Sequence, residues 1–526
     1  MAFSVVLMIN SINETAKLTG VVRVSGIESE ARAADFTINP VSGSIDPYDY
    51  IGQSVTIDYV DGGTARIFTG IVHLPAYDIT TGLLSFICTD SLQETVELID
   101  KPAVDALLPG YWDKAVFNEP EENWSYAQQI MSTYPGSFDK DANGNTRITD
   151  WLPKLTQDLT FTDSTILHDS LSVSLSERRS ITNSIKINFS NRYQRQWQRE
   201  VLGSWDLGIS WADYLANTIE LPTKEMVNQA ASGWTIKSVT FTDLPPSGSY
   251  GSNNWLLSEY AKSLCQGTIM TLAKRWLQNV TDIHTITIAS AASISQHGLL
   301  EVEQNHTLSA ESDPDFTKFD EYKPPVGTEV ETRNWLNLDV DAPDNALNTA
   351  MNLAKTRILA SHRNNKISFK CALNPLLDMD KTVRVNHTKA QAKGKVSALV
   401  HEIDLIEGTA ISTCEIAVYL PNIASQTNDA LTTPASPHVN PTGLTNSLPI
   451  MTSHIGNQDG APVDDPTWNG WIGNYDFWNG TPPAPEFYDT RFSFEIAEAT
   501  ETDAIEFNGT TSYNVAIPQN ELVIIK

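Results

Sequence analysis

Short runs in which apolar and polar residues alternate recur along this chain, and they predict strands far more often than helices. Val55-Thr-Ile-Asp-Tyr59 places its apolar side chains on one face, and Leu84-Ser-Phe-Ile-Cys88 does the same with Leu84, Phe86 and Cys88. Asp61-Gly-Gly63 follows the first run, and its glycines suit the positive φ of a hairpin turn. The pattern returns late in the chain, at Phe492-Ser-Phe-Glu-Ile496, Tyr513-Asn-Val-Ala-Ile517 and Leu522-Val-Ile-Ile525. The opening Met1–Asn10 has a short apolar stretch and no basic segment before it, so it reads as a first strand and not as a signal peptide.

Helical spacing occurs in two places. From Glu121 to Tyr134, residues Trp124, Ala127, Gln128 and Met131 share a face, and Pro135 stops the helix. From about Asp344 to His362, Asp344 or Asn345 caps the start, and Leu347, Ala350, Met351, Ala354 and Ile358 form an apolar stripe. Lys355, Arg357 and Arg363 suit its C-terminal dipole, and the helix is expected to cover a sheet. Composition shifts predict an exposed loop from Thr242 to Asn254, a Pro-rich connector from Asp313 to Gly327, and an extended linker from Ala424 to Pro449.

Two distant stretches repeat one order of elements. The first runs Phe36-Thr-Ile-Asn-Pro40, Ser54-Val-Thr-Ile57, Gly70-Ile-Val-His73, Asp78-Ile-Thr-Thr-Gly82 and on to Cys88. The second runs Phe369-Lys-Cys-Ala-Leu-Asn-Pro375, Thr382-Val-Arg-Val385, Ala398-Leu-Val-His401, Asp404-Leu-Ile-Glu-Gly408 and on to Cys414. Pro after Asn ends strand pairing because it has no N–H, and an Asp-to-Gly turn combines a self-bonding side chain with left-handed backbone. The pattern predicts two copies of one small antiparallel barrel or sandwich, with His73 and His401 in equivalent places.

Composition narrows the function classes. The 526 residues are enough for three to five domains at roughly 100–200 residues each. Apolar residues make up 41 % and charged residues 19 %, an ordinary globular mixture. A formal charge of −29 repels phosphate and disfavours specific nucleic-acid binding. The excess acid either keeps a large assembly soluble or lines a passage that a polyanion slides through. Beyond Asn422 the only basic residues are Arg491 and Lys526. Cys88, Cys265, Cys371 and Cys414 form no C-x-x-C pair, so they are expected to be buried thiols of a protein made in a reducing compartment. No run approaches the ~20 apolar residues of a membrane span, which predicts a soluble chain.

Catalytic patterns are missing. The chain has no G-x-S-x-G elbow and no phosphate-binding glycine loop. His401-Glu402 begins like a zinc-protease helix, but Leu405 stands where the second histidine belongs. Asp139-Lys-Asp-Ala-Asn-Gly144, closing at Asp150, matches the first half of a calcium loop through Asp139, Asp141, Asn143 and Asp150. The same residues suit a tight turn, and Thr146 and Asp150 depart from the calcium pattern. Arg178, Arg179, Arg192, Arg195 and Arg199 form a basic island with Tyr193 and Trp197. It fits contact with an acidic neighbouring subunit, or stacking on bases. No catalytic, cofactor or metal residue is assigned, and the chain is expected not to be an enzyme.

Ala33-Ala-Asp-Phe-Thr-Ile-Asn-Pro40, Ile67-Phe-Thr-Gly-Ile-Val72, Tyr77-Asp-Ile-Thr-Thr-Gly-Leu-Leu84, Ser361-His-Arg-Asn-Asn365 with Leu373-Asn-Pro375, and Tyr513-Asn-Val-Ala-Ile-Pro518 resemble the baseplate or tail-tip hub proteins of long-tailed bacteriophages. The resemblance spans most of the chain and is thin from Val201 to Val330. It implies a mainly β, multidomain fold with a few helices (α+β), built on two similar tube-type β-barrels with an inserted α/β region and a C-terminal β extension. The implied division is 1–98, first barrel; 99–180, α/β connecting domain; 181–330, β-rich hub region; 331–423, second barrel with its helix; and 424–526, linker and β extension. The implied role is a homotrimeric, pseudo-sixfold adaptor joining a sixfold tail tube to a threefold tip. Its implied partners are the distal tail or tube protein, central spike or fibre proteins and the tape-measure protein. The implied location is the virion tail tip, after assembly in the host cytoplasm. A receptor- or glycan-binding tail protein is the alternative, supported by Trp468-Asn-Gly-Trp471 to Trp478, whose rings suit sugar stacking.

Overall fold

The computed structural model describes residues 3–40, 46–210, 235–241, 247–250, 253–255, 264–310, 331–336, 342–418, 431–437, 504–517 and 522–525. Strands dominate, as the alternating pattern predicts. The first ninety residues supply β1 (Ser4–Ile9), β2 (Ile12–Asn13), β3 (Leu18–Ile27), β4 (Ala33–Ile38), β5 (Ser54–Val60), β6 (Thr64–Asp78) and β7 (Leu83–Thr89). Three short helices follow, α1 (Leu92–Glu97), α2 (Lys101–Leu107) and α3 (Asn123–Met131), then the hairpin β8 (Gly136–Lys140) and β9 (Thr146–Asp150). Strands β10 (Leu159–Thr162) and β11 (Ser172–Ser174) lead to the long β12 (Ser184–Ser210). Next come β13 (Thr235–Phe241), β14 (Ser247–Tyr250), β15 (Asn253–Trp255), β16 (Leu264–Ala289), α4 (Ala291–His297), β17 (Glu301–Ser309) and β18 (Glu331–Leu336). The helix α5 (Ala342–Ser361) precedes β19 (Lys366–Ala372), β20 (Thr382–His387), β21 (Ala390–Asp404), β22 (Thr409–Val418), β23 (Ile505–Asn514) and β24 (Val523–Ile524).

One sheet of fourteen strands holds both copies of the repeat, in the order β11-β19-β22-β21-β3-β4-β7-β6-β5-β1-β2, with β20 on β21 and β10 on β20. In the first copy the neighbours run β3-β4-β7-β6-β5-β1, and in the second they run β11-β19-β22-β21-β20-β10. Six strands therefore match one for one. The outermost pair differs in direction, since β1 is antiparallel to β5 whereas β10 is parallel to β20.

Register corrects the sequence match in one place. Val55↔Gly70 and Val383↔Gly394 are equivalent pairs, so the counterpart of Gly70-Ile-Val72 is Gly394-Lys-Val396. A bulge follows both valines, between Val72 and Leu74 and between Val396 and Ala398. His73 is thus the exposed bulge residue, whereas His401 is buried inside the sheet, paired with Ser412 on one side and Val24 on the other. The two histidines are not equivalent. The apparent match arose because the hairpin β21–β22 is two residues longer between bulge and turn. On the same register Phe36 pairs with Phe86 and its counterpart Phe369 pairs with Cys414.

Each copy encloses its own core. Val22, Phe36, Ile57, Phe68 and Phe86 centre the first, and Phe161, Ile367, Phe369, Val383 and Ile416 the second. The second copy also reaches into the first. Ile403 and Leu373 belong to the first core, and Leu405 and Ala410 pack against it.

The second sheet runs β13-β16-β12-β17, with β18 on β12 and β23 on β16. Strands β12 and β16 pair antiparallel from Ser184↔Ala289 outward, and 27 residues span roughly 90 Å. Helix α5 covers this sheet near its base. Its predicted stripe of Leu347, Ala350, Met351, Ala354 and Ile358 packs on Ile185, Ile187, Phe189, Ile286 and Ile288. The C-terminal segment adds one strand to each sheet, β23 parallel to β16 and β24 beside Ala390. The late strand ends at Asn514, before the predicted Ile517, because Val515 turns into the core under α5.

Other expectations are refined. The predicted loop Thr242–Asn254 contains the paired strands β14 and β15. The segments Asp313–Gly327, Trp468–Trp478 and Phe492–Ile496 lie outside the described residues. Cys88, Cys371 and Cys414 are buried free thiols, as expected, and burial pushes Cys88 up to about 12 and Cys371 up to about 11. Among the described residues no helix is long and apolar enough to cross a membrane.

The paired glycines give a direct test of the repeat. A Cβ on Gly70 would lie 2.2 Å from the Thr89 carbonyl oxygen, and one on Gly394 would lie 1.9 Å from that of Ala417. Gly70→Ala and Gly394→Ala are each expected to cost roughly 2–4 kcal/mol. Gly408→Ala, at a turn with φ +68° and open space around it, should cost only about 1–2 kcal/mol. Urea midpoints of the three variants check the ranking.

Candidate functional site: the junction between the two copies

The two copies meet where β3 lies along the outer half of β21, in seven successive pairs from Ala398↔Ile27 to Asp404↔Val21. Beside this ladder, charged residues from five separate segments converge. Glu28 and Arg32 come from the β3–β4 connection, Asp139 and Arg147 from the β8–β9 hairpin, Arg363 from the end of α5, Asp378 and Asp380 from the loop after β19, and Lys395 from β21. With Lys381, which pairs with Asp380 at 2.7 Å, they number five cations and four carboxylates, so the charges nearly cancel.

Asp378 is the centre. Arg147 clamps it through both terminal guanidinium nitrogens, at 2.9 and 3.0 Å, and Arg32 donates to it from the other side. Arg147 also donates from Nε to Asp139 at 2.6 Å and reaches Asp380 at 3.3 Å. Glu28 bridges the remaining cations, Lys395 at 3.0 Å and Arg363 at 2.9 Å. Lys395 donates to Thr149 at 2.7 Å, and the Arg363 guanidinium lies over the Trp151 ring at 5.0 Å. Burial alone would raise the Asp378 carboxyl, but Arg32 and Arg147 outweigh it and hold the group at about 2. Asp139 has a single guanidinium partner, so burial prevails and its pKa lies above the ordinary value.

His401 sits on the same strand, fully buried, with Nδ1 2.8 Å from the Ser412 hydroxyl. Burial and the nearby Arg32 charge push its pKa down to about 4, so the ring is neutral in the folded protein near neutral pH. The arrangement fixes geometry: each carboxylate and cation pairs with another member, although Arg32 Nε, Asp139 Oδ2 and Arg363 Nε are buried without a hydrogen bond, and the imidazole is enclosed.

The calcium-like run becomes a hairpin turn within this cluster. Asp139 faces Arg147, while Asp141 accepts from the Asn143 and Asn145 backbone N–H groups, and Gly144 takes φ +86°. Asp150 pairs with Gly136 at the opposite end of the hairpin and accepts from the Tyr134 hydroxyl. Asp139, Asp141, Asn143 and Asp150 are therefore not brought together. Among the described residues, no group of three or more His, Cys, Asp or Glu side chains is placed to hold a metal ion.

The basic island is divided as well. Arg178 donates to the His297 carbonyl, Arg179 and Arg192 are exposed, and Tyr193 is buried with its hydroxyl 3.2 Å from Asp282. Tyr193 is thus a core residue and offers no stacking face. The side chains of Arg195, Trp197 and Arg199 lie outside the described residues. An apolar cavity of about 250 Å³ opens between α3 and the β8–β9 hairpin, lined by Trp124, Met131, Phe138 and Trp151.

No protein-family model matches the sequence, and no curated protein matches it. Among solved structures, the chain is similar to a tail protein from Neisseria meningitidis MC58, at 9 % identity and a TM-score of 0.39, over 79 % of this chain and 96 % of that one. It is similar to the 43 kDa tail protein of prophage MuSo2 from Shewanella oneidensis, at 11 % identity and a TM-score of 0.36, over 79 % and 98 %. It is also similar to an E. coli component of the type VI secretion system, itself similar to T4 bacteriophage tail proteins, at 7 % identity and a TM-score of 0.31, over 89 % and 91 %.

Three substitutions test this chemistry, one of them at a solvent-facing pair outside the cluster for comparison. Arg147→Met leaves Asp378 and Asp139 buried with one cation fewer and should cost roughly 3–5 kcal/mol. Lys101→Met, at the solvent-facing pair with Glu119, should cost under about 1 kcal/mol by the same urea titration. For His401, a folded pKa of about 4 against an ordinary 6.5 means the unfolded chain binds the extra proton. The contribution is whole above pH 6.5 and is lost as pH falls toward 4, on the order of 3 kcal/mol in total. His401→Asn should flatten the fall in urea midpoint across that window. It should not abolish it, because burial also lowers His284, His306 and His362.

Proposed function

We propose that this chain is the structural hub of a bacteriophage tail. It assembles as a homotrimer in which three chains contribute six similar barrel-type units. The observation that carries this is the doubled unit itself, two six-strand copies fused edge to edge through β3 and β21 into one sheet. A rotation that relates neighbouring copies within a chain, repeated between chains, generates a head-to-tail ring that closes when the rotation divides a full turn. Three chains of two units present six near-equal faces to a sixfold tube and three equal ones to a tip.

The resemblance of Ala33–Pro40, Tyr77–Leu84 and Leu373–Pro375 to tail-tip hub proteins supports the phage context. In this setting the partners are the distal tail or tube protein, the spike or fibre proteins and the tape-measure protein, and the site of action is the virion tail tip after assembly in the host cytoplasm. The domain division at 98, 180, 330 and 423 belongs to the same proposal, with two adjustments: β10 and β11, from the connecting segment, complete the second unit, and α5 packs on the second sheet and not on the second unit. The net charge of −29 suits a wall past which DNA travels without adhering. The role is one of shape, and no catalytic step is assigned to any residue.

Native mass measurement of the full chain, with negative-stain imaging, tests the proposal. The expected result is three copies of the 58.0 kDa chain in a ring with six lobes. A chain that stays monomeric at high concentration, with no ring, would overturn it.

A further inference from the structure

The junction inside the chain has an empty counterpart. Strand β21 carries β22 along one side, and its other side is shared by β20 near the start and β3 beyond the bulge. Strand β6 has the same plan, with β7 on one side and β5 along its first part on the other. Beyond its bulge, from Leu74 to Asp78, no strand pairs with that second side among the described residues.

The side chains tell the same story. Ile403 and Leu405 stand five and three residues before the turn glycine Gly408, and both pack into the core of the other copy. Tyr77 and Ile79 stand five and three residues before the turn glycine Gly82. Ile403 is 0 % exposed, whereas Tyr77 is 41 % and Ile79 is 88 % exposed. On the outer face of the same tip, Leu74 and Ile87 are paired across the hairpin, and both are about half exposed. Large apolar residues are thus exposed on both faces of one hairpin tip, Tyr77 and Ile79 on the core-facing side and Leu74 and Ile87 on the other, and burial of the first pair is what the internal junction provides for Ile403 and Leu405.

The complementary edge lies at the far end of the fourteen-strand path. Strand β11 is the counterpart of β3, pairing with β19 as β3 pairs with β4. Its other side carries no strand among the described residues, whereas that side of β3 holds β21. Leu171 and Val173 pack on the second core, while Leu167 and Leu175 beside them are exposed.

We propose that the β6–β7 tip of one chain docks on the β11 edge of a second copy. Tyr77 and Ile79 then enter the neighbour's second core, as Ile403 and Leu405 enter the first core within the chain. This rests on the ring proposed above and names the surfaces that form it. Pro75, in the middle of the tip, cannot donate to a ladder, so the contact depends on side chains more than on backbone pairing. The same proline discourages pairing of this edge with unrelated strands.

The test compares the wild-type chain with Tyr77→Asp/Ile79→Asp, both changed at exposed positions, by native mass measurement, with circular dichroism and a melting curve to check folding. The expected result is loss of the assembled species in a variant that melts like the wild type. A wild type that assembles beside a folded variant that assembles equally would overturn this inference and leave the ring intact. A wild type that never assembles would overturn both. A second variant, Ile79→Cys/Leu175→Cys, should form inter-chain disulfides under mild oxidation, giving covalent dimers and larger rungs absent from either single variant. Absence of those rungs in an assembled sample also overturns it.

Discussion

Everything in this molecule depends on one pairing, the seven-residue ladder between β3 and the outer half of β21. Without it the two β units are separate small domains on one chain. With it they share a sheet, and Ile403 and Leu373 of one unit are core residues of the other. Hydrogen-bonded strands alone tolerate slippage where flanking faces are similar. The buried charge cluster removes that freedom, because Asp378 meets Arg32 and Arg147 together only in one register. A shift by one residue would leave carboxylates and guanidiniums buried without partners, a cost of several kcal/mol. The cluster therefore contributes specificity of alignment more than net stability, which buried ion pairs supply poorly.

The sequence was a good guide wherever a local period decided the outcome. The stripe from Leu347 to Ile358, the hairpin at Asp61-Gly-Gly63 and the valines of β5 and β20 were all readable, because burial follows spacing. The repeat was readable too, since its turns and strand ends use residues with few substitutes. What misled was the shared Val-His, which ignored the bulge and the two extra residues of β21–β22. A bulge leaves no compositional mark at His73 or Ser397, whereas the glycines before it do, because Gly70 and Gly394 each face a carbonyl too close for a side chain. The charge cluster was illegible for a different reason. Glu28, Arg147, Arg363 and Asp378 stand in unrelated segments, and no spacing rule joins them.

The calcium-like run shows how composition and geometry part. Asp, Asn and Gly at alternate positions serve a metal loop when their oxygens converge. They serve a hairpin when Asp141 turns back on its own backbone and Asp139 is held across the strands by Arg147. In this chain the second use also locks the hairpin to the junction, through Arg147 on Asp378 and Thr149 beneath Lys395. Residues that looked like a ligand set are struts between the connecting segment and the seam.

The distance along the chain between β3 and β21 has a consequence in time. Ile27 and Ala398 are about 370 residues apart in sequence, and such pairings are slow to form. On the ribosome, at roughly 5–20 residues per second, β3 waits tens of seconds for its partner, with an open edge and with Glu28 and Arg32 unmatched. During that interval the N-terminal unit of one nascent chain presents to another the very edge that its own C-terminal half is meant to cover. Polysomes making this protein are thus exposed to wrong-partner pairing until each chain is nearly complete.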